Sequence, residues 1–356
     1  MSVLWLPAGV ALEKKASPQE IVLTDGRKIQ VLEAVADDSN LKVKLEYGTM
    51  VIPKERLSPE ARRKYFGEAV PVAPSGQQDD PRKPNRVKPA PPTASPPVSV
   101  PTKRPASAIK DNVLTMDDFL VGSRKDQNGN VLLYRLFVPD DYTEARKYPL
   151  VLYLHAAGES AGTDNLAHVQ SSKGRMRSAP DLFCRPESQA RYPCFFLAPQ
   201  QPEGELWACG RYDMASRWMR LTVGLIESLQ QTYTGIDPHR IYATGVSSGG
   251  KGALDALAKF PGRFAAAVPI AAGDDPKAFK KECVVPVWFF YGENDSFTHE
   301  DVSGLVTHFK GFGVDPRVTV YKDASHGAGS RGYSDPGLLP WLFAQRLADK
   351  PSWSPK

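Results

Sequence analysis

From about residue 114 onward the apolar residues keep two rhythms that take turns along the chain. Val131 to Val138 follows the turn pair Asn128-Gly129 and reads as a strand. Leu150 to Leu154 and Cys194 to Ala198 are unbroken apolar runs, as expected of strands covered on both faces. Met214, Trp218, Leu221, Leu225 and Leu229 then fall on one side of a helix. Arg240 to Thr244 is the next strand, followed by helical spacing with Leu254, Leu257 and Ala258 as its apolar side. Phe264 to Ile270, Val287 to Tyr291 and Arg317 to Tyr321 are three more strands. Val302, Leu305, Val306 and Phe309 mark a helix ended by Gly311 and Gly313, and Asp335-Pro336 opens a last helix through Trp341 and Leu342. Strands alternating with helices predict an α/β fold with a mostly parallel, doubly wound sheet.

The first third of the chain has another pattern. Between residues 18 and 69, Asp25-Gly26 separates two apolar runs, and Leu41 to Tyr47 alternates as a half-buried strand should. Met50-Val51-Ile52 starts a further strand, and Ser58-Pro59-Glu60 opens a short helix. The expectation is a small antiparallel β-barrel of four or five strands. Residues 70–110 read as an extended, semi-rigid linker, since nine of the thirty residues from Pro81 to Lys110 are proline and none is aromatic. Residues 111–350 form the α/β domain. Residues 1–17 are apolar without a basic n-region, and a clipped export signal, a misplaced start or a short packing strand fits them.

Charge changes this picture little. The net charge is +5, but residues 81–110 alone carry seven Lys or Arg and no acid. The folded remainder is therefore slightly acidic, which speaks against a nucleic-acid surface. A solvated tether is the simplest reading of the basic stretch, with contact to an acidic polymer or membrane surface as the alternative. No apolar run has membrane-spanning length. The four cysteines, Cys184, Cys194, Cys209 and Cys283, show no close metal spacing. Cys184 and Cys194 are near enough in sequence to pair; buried free thiols are the other reading.

The candidate chemistry starts where the Arg240 strand ends. Gly245-Val246-Ser247-Ser248-Gly249 fits G-x-S-x-G, a cramped strand-to-helix turn that needs small residues two places either side of the serine. The stretch has rivals. Gly245 to Lys251 also fits G-x-x-x-x-G-K, with Asp274 as a carboxylate after the next strand, but Gly252 stands where a phosphate loop needs Ser or Thr. Ser248 to Lys251 fits S-x-x-K without its companion motifs. A glycine-rich turn without chemistry is the plain alternative. In a parallel sheet, ligands sit at the carboxyl ends of the strands. Asp295 follows one later strand and His326 follows the last, giving the order Ser247, Asp295, His326, which suits a nucleophile, an orienting acid and a general base. Glu293 and Asp301 are rival acids. His155, His299 and His308 are placed less well than His326. An oxyanion needs two N–H donors, the Ser248 amide and one from Ala156 or Ala157 in the loop after the Leu150 strand.

These motifs, taken in order, carry a resemblance. Leu154-His155-Ala156-Ala157-Gly158-Glu159, Ala198-Pro199-Gln200, Gly245 to Gly250, Gly292 to Asp295 and Ser325-His326 make residues 114 to 348 similar to α/β-hydrolases. The group resembled is that of secreted esterases and "predicted peptidases", related to polyhydroxybutyrate-depolymerase-like and feruloyl-esterase-like enzymes. The resemblance implies an α/β-hydrolase fold and a serine hydrolase without metal or cofactor. It implies carboxylic ester substrates, such as acyl groups on plant polysaccharides, and a periplasmic or secreted location. It implies that His155 is structural, that Glu159 and Asn165 organise the loop, and that Trp207 lines the substrate pocket or else belongs to the core. Two residues depart from the pattern: Ala156 and Ser325 replace glycines, which tolerate backbone angles that alanine resists. The stretch from Thr24-Asp25-Gly26-Arg27 to Leu57-Ser58-Pro59-Glu60 resembles small barrel modules that precede catalytic domains in exported bacterial proteins, which implies a polymer or surface ligand. Serine peptidase, inactive hydrolase fold serving as a binding protein, and nucleotide-binding enzyme are the competing functions.

Overall fold

A computed structural model of the chain describes residues 19–22, 28–31, 33–36, 40–45, 48–54, 57–67, 114–159, 177–202, 204–208 and 214–348. It separates into two compact units, Met1–Pro91 and Pro92–Lys356, with the division inside the proline-rich stretch. The expected N-terminal segment and the whole of the expected linker lie outside the described residues.

In the first unit β1 (Gln19–Val22) and β2 (Lys28–Val31) form an antiparallel pair. β3 (Glu33–Ala36), β4 (Asn40–Leu45) and β5 (Gly48–Pro53) form a separate antiparallel sheet of three. Helix α1 (Pro59–Phe66) starts as its residues require: the Ser58 side chain accepts from the Ala61 amide, Pro59 fills the first turn, and Gly67 ends the helix at φ 70°. Ile21, Val31, Leu41, Leu57 and Ala61 are buried together. The expected closed barrel is not shown. Among the described residues the strands form two small sheets that share this core.

The second unit is built on one eight-stranded sheet. Its strands are β6 (Leu120–Lys125), β7 (Val131–Phe137), β8 (Tyr148–Leu154), β9 (Phe195–Gln200), β10 (Ile236–Val246), β11 (Ala266–Ile270), β12 (Trp288–Gly292) and β13 (Arg317–Tyr321). The order across the sheet is β13-β12-β11-β10-β8-β9-β7-β6. From β13 to β9 every pairing is parallel, and β7 and β6 add an antiparallel edge. Seven of these strands are the ones the apolar runs predict. β6 was not expected, because an edge strand reading Leu-Val-Gly-Ser-Arg-Lys has no apolar run to announce it.

Helices cover both faces: α2 (Ser178–Cys184), α3 (Pro186–Arg191), α4 (Arg217–Thr232), α5 (Ser248–Lys259), α6 (Ser296–Gly311) and α7 (Leu338–Phe343). β8 shows how the sheet serves two cores. Leu150, Leu152 and Leu154 point to the side of α4, α5 and α6, whereas Val151 and Tyr153 point to the side of α2 and α7. A strand buried on both faces must be apolar at every position, and all seven residues of β8 are buried. Helix α4 starts later than its apolar spacing suggests. Ser216 is its N-cap, accepting from the Met219 amide, and Met214 lies before it, exposed.

Cys184 and Cys194 form no disulfide with each other; both are buried, as is Cys283, while Cys209 lies outside the described residues. Gln189 holds the neighbourhood together in place of a disulfide, donating to the Phe183 carbonyl at 2.7 Å and accepting from the Cys194 amide at 3.3 Å. Burial pushes the Cys194 thiol up to about 12, so it stays protonated and unreactive. Among the described residues no helix is long and apolar enough to cross a membrane.

Candidate active site

β10 delivers Ser247 to the carboxyl edge of the sheet, and α5 leaves directly from it. Ser247 has φ 56° and ψ −118°, a backbone state that costs a non-glycine residue roughly 1–3 kcal/mol. Its neighbours show what holds it. A Cβ on Gly245 would stand 2.4 Å from the Leu154 carbonyl oxygen, and one on Gly249 would stand 1.9 Å from the same atom. The small residues that the motif demands are therefore demanded by the backbone of β8. The Ser247 amide donates to the Ile270 carbonyl at 2.8 Å, and its own carbonyl accepts from the Lys251 amide at 2.9 Å.

The acid and the histidine arrive from the ends of β12 and β13, which are stitched together beyond the sheet. The Glu293 amide donates to the Tyr321 carbonyl and the Asn294 amide to the Ala324 carbonyl, at 3.0 and 2.9 Å. This approach is possible because residue 292 is glycine: a Cβ there would stand 2.3 Å from the Ala324 oxygen. Asp295 is the N-cap residue of α6, and its side chain is 3% exposed against 54% for His326. A buried carboxylate needs a partner. His326 Nδ1 lies 2.7 Å from Asp295 Oδ2, and His326 Nε2 lies 2.9 Å from Ser247 Oγ. The carboxylate can only accept, so Nδ1 carries the proton, and Nε2 is left to accept the serine hydroxyl proton.

The rival residues are occupied elsewhere. The exposed Glu293 carboxylate accepts from the Asp323 amide at 3.0 Å, which braces Asp323 at φ 54° just ahead of His326. Asp301 sits inside α6 with its Cβ against Gly273. His299 Nδ1 meets the Tyr291 hydroxyl at 3.0 Å, and His308 Nε2 meets the Phe279 carbonyl at 2.8 Å. Lys251 is paired with Asp274.

His155 is wholly buried. Nδ1–H donates to the Ala156 carbonyl at 2.9 Å, and Nε2 accepts from the Gln201 amide at 3.0 Å. Burial pushes the ring down to about 4. A ring harder to protonate when folded than its ordinary 6.5 stabilises the fold fully above pH 6.5, and this contribution is lost as pH falls towards 4. It amounts to about 3 kcal/mol. Its imidazole NMR shifts should therefore stay constant from neutral pH down to about 5, where an exposed histidine has already titrated.

The oxyanion donors are less simply arranged than the motif suggests. Ser248 opens α5, and first-turn amides have no carbonyl of their own helix to bond. The Ala156 amide, however, donates to Glu159 Oε2 at 3.1 Å, and Glu159 Oε1 pairs with Arg177 Nη1 at 2.5 Å. Ala157 begins the short 3-10 turn Ala157–Glu159. Asn165 lies outside the described residues. Trp207 is wholly buried, its indole N–H donating to the His155 carbonyl at 3.0 Å. Its Cβ would be 2.5 Å from a Cβ on Gly252, so this indole belongs to the core under the loop. Sequence reasoning missed the Arg177 partner of Glu159 and the Ile270 carbonyl; nothing in the local pattern marks either one. Among the described residues no group of three or more His, Cys, Asp or Glu is arranged to hold a metal ion.

The chain is similar to several solved structures. The crystal structure of a thermostable esterase is 35% identical over 65% of this chain and 64% of its own, with a TM-score of 0.58. This chain thus spans a little under two thirds of that esterase's length. Dipeptidyl peptidase 4 from Porphyromonas gingivalis is 16% identical over 64% of this chain and 35% of its own, at a TM-score of 0.46. The Thermogutta terrifontis esterase Est2 is 15% identical over 66% of this chain and 96% of its own, at 0.44. No curated protein matches the chain in sequence. Residues 139–335, more than half of the chain and including Ser247, Asp295 and His326, match the dienelactone hydrolase family model. With its mostly parallel sheet and its α/β-hydrolase-like fold, this chain belongs to the dienelactone hydrolase family.

Proposed function

We propose that the protein is a serine hydrolase that cleaves carboxylic esters through an acyl-enzyme intermediate. The observation that carries this reading is the continuous hydrogen-bonded line from buried Asp295 through His326 to Ser247 on a strained turn. Ser247 Oγ attacks the ester carbonyl carbon while its proton passes to His326 Nε2. The carbonyl π electrons move onto oxygen, and the Ser248 amide at the start of α5 stabilises that charge, with a second N–H from Ala157, or from Ala156 once it leaves Glu159 Oε2. Collapse expels the alkoxide, which takes the proton from Nε2. Water then repeats the sequence on the acyl-serine, releasing the acid and restoring the serine hydroxyl. Asp295 holds the tautomer and offsets the positive charge on the imidazolium.

Family membership and the 35% identical thermostable esterase favour an ester over other acyl substrates. Within that class we favour acyl groups carried on polysaccharides, with the N-terminal unit as the element that meets the polymer or a surface and an extracytoplasmic place of action; these rest on the sequence resemblance. A fluorophosphonate reagent tests the core of the reading. It should label wild-type protein once, with the mass increment on Ser247. Absence of labelling, or labelling that survives Ser247→Ala, would exclude the mechanism.

A further inference from the structure

Two residues that stand out in the sequence have no step in the acyl chemistry: Lys251, four positions after the serine, and Asp274, beyond the end of β11. The structure brings them together, with Lys251 Nζ 3.6 Å from Asp274 Oδ1. They belong to a group of four ionisable side chains, because Asp255 and Lys259 form a second pair at 3.8 Å, and Asp255 lies in the field of both Asp274 and Lys251. The Asp275 amide also donates to Asp274 Oδ1, at 2.9 Å.

The segment Ile270–Asp274 touches both sides of the proposed machinery. The Ile270 carbonyl accepts the Ser247 amide at 2.8 Å. Ala271 sits at φ 48°, with its amide donated to the Phe290 carbonyl at 2.7 Å. On one side, a Cβ on Gly250 of α5 would stand 2.7 Å from the Ala272 Cβ. On the other, a Cβ on Gly273 would stand 2.3 Å from the Asp301 Cβ, and Asp301 belongs to α6, the helix whose N-cap residue is Asp295. These five residues are a wedge between the helix behind the serine and the helix behind the acid. An alanine at positive φ persists only where its surroundings over-determine it. Ala271, Ala272 and Gly273 at the centre of the wedge are small, and the Lys251–Asp274 pair adds a side-chain link from its far end to α5, beyond the Ser247 amide bond at its start. The Asp274 side chain is 14% exposed and that of Lys251 30%, so the pair is partly shielded from solvent and loss of the cation leaves a partly buried carboxylate without it.

We propose that Lys251 and Asp274 are positioning residues, whose ion pair clamps the 270–274 wedge to α5 and thereby fixes the backbone of Ser247 relative to Asp295. This rests on the reading of Ser247 as nucleophile. The variants Lys251→Met, Asp274→Asn and Lys251→Arg test it by two readouts in the full-length chain: turnover of p-nitrophenyl acetate, and hydrogen exchange of the Ser247 amide, whose acceptor is in the wedge. The Met and Asn variants should lower kcat about tenfold while KM stays within about twofold. The Ser247 amide should exchange about tenfold faster, and Lys251→Arg should restore both. Should Lys251→Met fail to fold, Asp274→Asn keeps the shape, removes only the charge and supplies the same comparison. Cooperatively folded Met and Asn variants with wild-type exchange at Ser247 overturn the proposal. Turnover that survives Ser247→Ala sinks the nucleophile reading instead, and the exchange rates still decide the clamp, because they need no substrate.

Discussion

Glutamine at position 326 is expected to lower kcat for p-nitrophenyl acetate by at least about 10⁴-fold while leaving the protein folded. The side chain at 326 is half exposed, so the fold does not depend on the ring. Glutamine can still reach Asp295 with an N–H, but its amide cannot take a proton from Ser247 at neutral pH, and the nucleophile stays a neutral hydroxyl. The loss should lie almost wholly in kcat, because the imidazole gains its charge only as the proton moves. Steady-state kinetics beside a thermal melt measure this directly. A variant that melts like wild type and keeps more than about a hundredth of its kcat would remove His326 from the mechanism.

The second large effect is structural and falls on Gly249. Alanine there would set its Cβ 1.9 Å from the Leu154 carbonyl oxygen, 2.6 Å from the Leu154 carbonyl carbon and 2.8 Å from the His155 oxygen. All three are backbone atoms where β8 enters the His155 loop, and β8 is buried throughout. No rotamer change relieves such a contact, so either α5 or the β8 terminus must move. Overpacking a buried site costs about 1–3 kcal/mol and occasionally more; with backbone on every side the upper end or beyond is expected. The companion change Gly311→Ala, where no atom lies within 4 Å, should be close to neutral. Urea denaturation of the two variants gives the contrast, and equal midpoints would show that the turn is more pliant than its geometry indicates. Any Gly249→Ala protein that folds should also be nearly inactive, because the displaced elbow carries Ser247 and Ser248 together.

The chain by itself determined seven of the eight strands of the sheet and the three residues most worth testing. Unbroken apolar runs such as Leu150 to Leu154 can only be strands buried on both faces, and the spacing of Gly245, Ser247 and Gly249 expresses a steric demand within one turn. Such signals are local, and local geometry is written in neighbouring residues. The edge strand β6 was silent because half-exposed positions carry no apolar demand. The status of Trp207, of Cys184 and Cys194, and of the Ala156 amide was open for another reason. Each depends on what another part of the chain places beside it: the His155 carbonyl, Gln189, and Glu159 with Arg177. Only the tertiary structure decided those partners, and it also joined Lys251 to Asp274 and carried His326 to Ser247 across 79 residues of sequence. A parallel sheet makes its strand ends converge in space whatever their separation along the chain, so the meeting of side chains there is a property of the fold and not of any one stretch.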